Sequence, residues 1–398
     1  MTMSSGRAYL AIPGPSVVPD RVLRAMHRAA PNIYSGALND VGASVAADLC
    51  KLAGTKHHVA IYIANGHGVW EAALSNVLNP DDKALVLATG PFAQGWAGMA
   101  GSMNIDCQVI DFGNKNTIDM EKLAQVLAED KDHRIKAVLA VHVDTGTSVR
   151  NDIPAVRRVI DAAGHPALLM VDCIASFGCD VFRMDEWGVD LMVAACQKGL
   201  MTPPGIGFVF FNDKANDLRN AATRTSAYWD WRPRATPENN SERFGGTAPT
   251  HHIFGLREAL DMILEEGLPQ VWARHEKLAS AYWAAIEAWG QAGAMSLNIA
   301  DPALRSHAVT AVSIGAPQGT ALRDWVADHA GVTLGIGLGM APAGDPAWHG
   351  HFRIGHMGHV NAHMVLGVVG AIDAGMKSLG IPHGRDGLIA ASTVLARI

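Results

Sequence analysis

The sequence predicts an α/β protein: a large domain built on a mostly parallel, seven-stranded sheet, followed by a smaller C-terminal α+β domain. Two observations carry this. Between about residues 51 and 212, short apolar runs rich in aliphatic side chains alternate with amphipathic, helix-like segments. That alternation reads as βαβ units. Beyond residue 212 longer helical stretches take over, and a second, shorter mixture of strand and helix signals follows.

The runs fall at 59–63, 84–87, 107–110, 137–141, 167–171, 191–194 and 206–210. Their nearly continuous apolar character calls for helices on both faces of the sheet. A turn at Asn65-Gly66-His67-Gly68 leads into a helix over 69–78, and further helices are expected over 120–127 and 153–163. The last of these has Asp152 as N-cap, Pro154 in its first turn and Gly164 as its stop. A polar, aromatic stretch at 226–240 contains Tyr228-Trp229-Asp230-Trp231. It reads as a segment packed at an interface, since no basic groove accompanies it. Helices over 252–264 and 270–289 come next. The small domain then reads as a strand at 308–313, a helix at 320–329, strands near 332–334 and 352–355, and a helix at 361–379. The expected division is an arm at 1–20, a large domain at 21–265, a connecting helix at 266–290 and a small domain at 291–398.

Composition narrows the function. The chain has 398 residues, enough for two domains or three. Only 18% are charged and 49% are hydrophobic, against about 25% charged in an average soluble domain. This excludes disorder and points to a large subunit interface. The net charge of −6 offers no case for nucleic acid or an anionic membrane. No uncharged apolar run reaches the ~18–20 residues that span a bilayer, and residues 1–10 hold no apolar signal segment. The five cysteines are odd in number and form no CxxC pair. They argue against a disulfide framework or a zinc site and fit a reducing, cytoplasmic setting.

Four local signals carry chemistry. Lys198, in Cys196-Gln197-Lys198-Gly199, lies just beyond the end of an apolar run. It is either a surface lysine or a desolvated amine able to form a Schiff base. Asp172 closes the run 167–171, either as a turn residue or as an acid facing a ligand at the carboxyl edge of the sheet. The two suit a lysine-bound aldehyde cofactor whose pyridine nitrogen must stay protonated. The turn at Gly66 is either ligand-free or an anion site at a helix N-terminus. Arg353, in an apolar strand, needs a partner: an internal acid or the carboxylate of a substrate.

In this order, these residues resemble class V aminotransferases of the fold-type I pyridoxal-phosphate superfamily. Within it the chain is similar to the serine–glyoxylate and alanine–glyoxylate aminotransferases. The similarity runs from Pro13-Gly14-Pro15-Ser16 to Arg353-Ile354-Gly355-His356, and takes in Trp70-Glu71, His165 to Asp172, Gln197-Lys198-Gly199 and Trp272-Ala273-Arg274-His275. The resemblance implies a homodimer that binds pyridoxal 5'-phosphate and transfers an amino group by a ping-pong mechanism. The donor would be a small L-amino acid (serine, alanine or aspartate), and the acceptor glyoxylate or a similar 2-oxo acid. Lys198 would carry the cofactor and shuttle the proton, and Asp172 would face the ring nitrogen. Asn65, Gly66, His67 and Gln197 would hold the phosphate, Phe92 would stack on the ring, and Thr145 would sit near the phenolic oxygen. Phe244 and Thr247 would reach the partner's phosphate. Arg353 would clamp the substrate carboxylate, with Tyr34 beside the substrate.

The chain also departs from the family pattern, at Asn32-Ile33-Tyr34-Ser35, at Val143 to Ser148, at Phe244 and over a long link at 340–351. Donor choice is expected at Tyr34, the Asp144 turn and that link. One alternative is an enzyme of the pyridoxamine–pyruvate aminotransferase type; another is a non-catalytic, ligand-binding relative. A cysteine desulfurase is disfavoured, because all five cysteines precede residue 200. Of His349, His351, His356, His359 and His363, the last three could share a helical face, but no metal site is expected there.

Overall fold

The computed structural model describes residues 4–342 and 344–397. Residues 1–3 of the expected arm and residue 343 of the long link lie outside the described residues. Twelve strands form two sheets. In chain order they are β1 (Tyr9–Ala11), β2 (His58–Tyr62), β3 (Lys83–Ala88), β4 (Asp106–Asp111), β5 (Ile135–Val141), β6 (Leu168–Asp172), β7 (Leu191–Ala195), β8 (Gly207–Phe211), β9 (Ser296–Leu297), β10 (Val309–Ser313), β11 (Val332–Ile336) and β12 (His351–Gly355). The seven-stranded sheet has the order β2-β8-β7-β6-β5-β3-β4. Only β8 runs against the rest, antiparallel to both β2 and β7.

Each central strand feeds two cores, as the period of two requires. Val138 and Ala140 of β5, Leu169 and Val171 of β6, and Met192 and Ala194 of β7 join one cluster with the helices Ala37–Ala53 and Thr250–Glu266. The alternate residues, Leu139, Met170 and Val193, join a second cluster with Trp70, Trp96 and Trp231 on the other face. Continuous apolar runs are therefore the signature of strands covered on both sides. The small sheet has the order β1-β11-β12-β10-β9 and its own core. The helix Leu268–Gly290 spans the two regions: Val271 lies in the large core, and Leu278, Tyr282 and Trp289 in the small one.

Local signals explain the helix ends. Asp152 Oδ1 accepts the N–H of Ala155 at 2.9 Å, and Pro154 sits in the first turn of Ile153–Ala162. All ten expected strands and the expected helices are present, with ends displaced by a few residues. The pattern missed β1, the short β9 and, among the described residues, seven α-helices: Asp20–Met26, Ala37–Ala53, Pro91–Ser102, Gly387–Leu395 and the short Asp213–Arg219, Arg232–Ala235 and Asn240–Phe244. Gly387–Leu395 carries no charged residue and so shows no polar face from which to read a helical period.

Two expectations need correction. The aromatic stretch packs inside its own chain: Trp231 is fully buried and stacks on Phe211 at 4.1 Å between ring centroids. His356, His359 and His363 share no helical face, because only His363 lies in the helix Ala362–Ser378. His356 sits instead in the buried interior, where its ring nitrogens pair with Thr310 Oγ1 and the carbonyl of His307, each at 2.9 Å. No described helix is long and apolar enough to cross a membrane.

Candidate active site

Because β2 and β7 are both antiparallel to β8, the strands β2, β3, β5, β6 and β7 all end at one edge of the large sheet. Ligands of such sheets bind at that edge. Here it forms a cavity of about 310 Å³. Each of these strands delivers a segment to its wall: Asn65-Gly66-His67 after β2, Phe92 after β3, Val143 and Thr145 after β5, Asp172 at the tip of β6, and Gln197-Lys198 after β7. The N-terminal arm closes the remaining side with Gly14 and Pro15.

Asp172 and Lys198 come from neighbouring strands and line the cavity, Asp172 buried and Lys198 half-buried. Asp172 Oδ1 accepts the N–H of Ile174 at 2.7 Å, and Oδ2 accepts the indole N–H of Trp70 at 2.8 Å. Burial nevertheless pushes the carboxyl up to about 7; the nearby Asp144 adds to the rise, while the two donors and Lys198 oppose it. Burial also pulls the Lys198 amine down to about 8, helped by the Arg353 charge and resisted by Asp172. The site therefore holds an amine that is readily neutral and an acid that is held ionised only by close partners.

The arm fixes this lysine. Lys198 Nζ donates to the carbonyl of Pro13, and Ser16 Oγ donates to the carbonyl of Lys198 at 2.7 Å. Gly14 has a φ of +100°, and a Cβ there would stand 2.6 Å from the lysine side chain. Only glycine fits that position without moving the amine.

At the other end of the cavity, the helix Gly66–Val77 points its N-terminus inward. Asn65 caps it by accepting the Gly68 N–H at 3.2 Å. The first-turn N–H groups of Gly66 and His67 have no intrahelical acceptor and suit an anion. The amide oxygen of Gln197, buried in the wall, has no hydrogen-bond partner among the described residues.

Behind Thr145 lies a buried charged pair. Asp144 accepts the N–H groups of Phe92 (3.0 Å), Gly146 (2.8 Å) and Thr147 (3.2 Å), so it ties the Phe92 turn to the Thr145 turn. Arg353 donates to the carbonyls of Thr145 at 2.8 Å and Ile336 at 2.6 Å. Burial lowers its guanidinium to about 10, with Asp144 opposing. Arg353 makes no close ion pair among the described residues, and it stands just behind the wall rather than in it.

The structure thus brings together Asn65, Gly66, His67, Phe92, Thr145, Asp172, Gln197 and Lys198. Arg353 stands just behind that wall, and three others lie apart from it. Tyr34 is 83% exposed and away from this chain's cavity. Phe244 is buried in the large core, so its ring cannot reach a partner as expected. Thr247, three residues on, is exposed. Sequence reasoning assigned no role to Trp70, Asp144's hydrogen bonds or the Pro13–Gly14 contact with the lysine. For Trp70 a signal existed: it lies four residues after Gly66, on the same face of the helix that the turn opens.

Comparison with known proteins agrees with this geometry. The family model described as Aminotransferase class-V matches residues 8–348. The chain is 36% identical to the serine–glyoxylate aminotransferase of Methylorubrum extorquens, covering 99% of this chain and 97% of the relative. It is 35% identical to the L-aspartate–glyoxylate aminotransferase of Paracoccus denitrificans, covering 93% and 91%. Among solved structures, the pyridoxamine–pyruvate aminotransferase of Mesorhizobium loti superposes with a TM-score of 0.87 at 26% identity, covering 99% of this chain and 98% of that one.

Proposed function

The chain belongs to the class-V aminotransferase family, and from that premise we propose that it is a pyridoxal 5'-phosphate-dependent transaminase. It moves the amino group of serine, alanine or aspartate to glyoxylate or a similar small 2-oxo acid. The observation that carries this reading is the pairing of Lys198 with the buried Asp172 in one cavity, from adjacent strand ends.

The residues present fit the cofactor. The cavity, about 310 Å³, lies at the lower end of the range of about 300–1,000 Å³ for small-ligand sites. The free first-turn N–H groups at Gly66 and His67, with Asn65 and Gln197, suit its phosphate. Phe92 and the apolar wall at Val141 and Ile174 suit its ring, Asp172 its nitrogen, and Thr145 its phenolic oxygen. When bound, pyridoxal phosphate supplies an aldehyde that condenses with an amine and a cationic ring that accepts electrons as a neighbouring proton leaves.

The chain's own groups do the rest. Lys198 Nζ, neutral above about pH 8, would hold the aldehyde as nucleophile, and its amine would be the base that takes the proton from the substrate α-carbon and the acid that delivers it to the former aldehyde carbon, across the intervening nitrogen. Asp172 keeps a negative charge beside the ring nitrogen. Arg353, which makes no salt bridge among the described residues and donates to the carbonyls of Thr145 and Ile336, would exchange a carbonyl for the substrate α-carboxylate and so orient the breaking bond. Val141, Val143, Ile174 and Ala175 exclude water. We place the enzyme in the cytoplasm as a homodimer, with the division 1–20, 21–265, 266–290 and 291–398; the exposed Gly245-Gly246-Thr247 stretch is the part free to reach a second copy's phosphate.

A half-reaction screen tests this. The cofactor-loaded protein is mixed with serine, alanine, aspartate and pyridoxamine in turn, and its visible absorbance is followed. At least one of the three amino acids should bleach the visible band, and glyoxylate should restore it with release of glycine. Bleaching by pyridoxamine alone would move the enzyme to the pyridoxamine–pyruvate type. Turnover no faster than that of free pyridoxal would make the protein a non-catalytic binder.

A further inference from the structure

Resting on this reading, we propose that Trp70 is the positioning residue of Asp172: its indole N–H holds the carboxylate so that the remaining lone pairs face the cofactor's ring nitrogen.

The geometry is specific. Asp172 receives one donor on each oxygen, Ile174 N–H on Oδ1 and Trp70 Nε1–H on Oδ2. A carboxylate has about four acceptor sites. Two are taken by these donors, and the acid still lines the cavity. Trp70 itself is 1% exposed. Its ring stacks on Trp96 at 6.0 Å, and the rings of Phe92 and His67 meet it edge-on at 6.4 Å and 4.8 Å. With three ring neighbours the indole cannot swing away, so the donor is preorganised.

Electrostatics gives the donor a task. Asp172 faces Asp144, which repels it, and Lys198, which attracts it, and its neighbour Cys173 is a buried thiol. A buried carboxylate stays charged only with enough hydrogen bonds. Without the indole, one backbone N–H would be the only hydrogen bond left to work with the Lys198 charge against burial and Asp144. Apolar packing alone would be met by phenylalanine, which lacks the N–H.

The helix adds a second consequence. Gly66 and Trp70 lie on one face of Gly66–Val77, one turn apart. A single rigid element therefore serves both ends of the cofactor, anion at its N-terminus and acid at its second turn.

The test uses full-length protein loaded with cofactor labelled with ¹⁵N at the ring nitrogen, as wild type, Trp70→Phe and Trp70→Leu. Both variants lack the donor, and they differ in bulk. Both should lower the pH at which the ring nitrogen loses its proton by about one unit. Both should lower kcat about tenfold while KM for the amino donor stays within about twofold. If the Phe variant fails to fold, the Leu variant carries the same readout. Loaded variants that lose thermal stability alone, with the ¹⁵N profile and kcat unchanged, would overturn the proposal. A wild-type protein that takes up no cofactor would overturn the aminotransferase reading itself, and this proposal with it.

Discussion

The inner and outer ends of the cavity are built by different means. At the inner end, Asp172 and Trp70 are buried and Lys198 half-buried; they are tied to one another or to the backbone, and carried by adjacent strands or the helix packed on them. At the outer end, His67 is exposed, and Tyr34 and Thr247 stand at the surface, away from this chain's cavity. The difference separates two jobs. Proton chemistry needs a dry, fixed pair of groups, and one chain provides it. On the proposed reading, part of the grip on phosphate and the choice of substrate fall to edges that a second copy would complete.

The hardest blow to the inner end is Lys198→Ala. It should remove covalent cofactor attachment, read by borohydride reduction and peptide mapping, and lower kcat by at least about 10⁴-fold. Asp172→Asn comes next, with an expected loss of about 10²–10³-fold in kcat at little change in cofactor loading; an unaffected kcat would show that the acid does not serve the ring. The outer end should respond more gently. Thr247→Val is expected to weaken cofactor binding about tenfold, which corresponds to about 1.4 kcal/mol, with kcat at saturation nearly unchanged. Mixing it with Lys198→Ala protein sharpens the contrast: if sites are shared between chains, hybrids will contain one fully intact site and regain tight binding. A mixture that merely averages its parents would assign both ends to one chain.

A pH test isolates the amine. Lys198 is held at about 8, below its ordinary 10.5, so below that pH it is protonated and cannot condense. The rate of covalent loading should rise as pH rises through about 8 and then level off, followed by absorbance in stopped flow. The smallest effect is expected in the arm. Ser16→Ala removes the bond to the Lys198 carbonyl and should cost about 1 kcal/mol in thermal unfolding.

What the sequence revealed follows the same division. Strand runs, caps and the residues just past strand ends were legible, because local period and topology together place Asp172 and Lys198 at one edge; Phe92 and Thr145 came only through the family resemblance. Trp70 stood only as part of a family-like stretch with no role, since its role depends on which acid lies across the helix–sheet contact. Phe244 was misread because a motif carries no statement of which way its ring points. The strand within the arm was invisible for a related reason: three residues, Tyr9–Ala11, are too few to show a period, and they become a strand only by pairing with Val332–Leu334.

That last pairing has a practical consequence. One residue, Ile12, separates the end of β1 from the carbonyl that receives the lysine amine. Any fusion partner, purification handle or trimming that drags on the first dozen residues is coupled directly to residue 198, and would be felt there as an altered nucleophile long before the protein as a whole loosened.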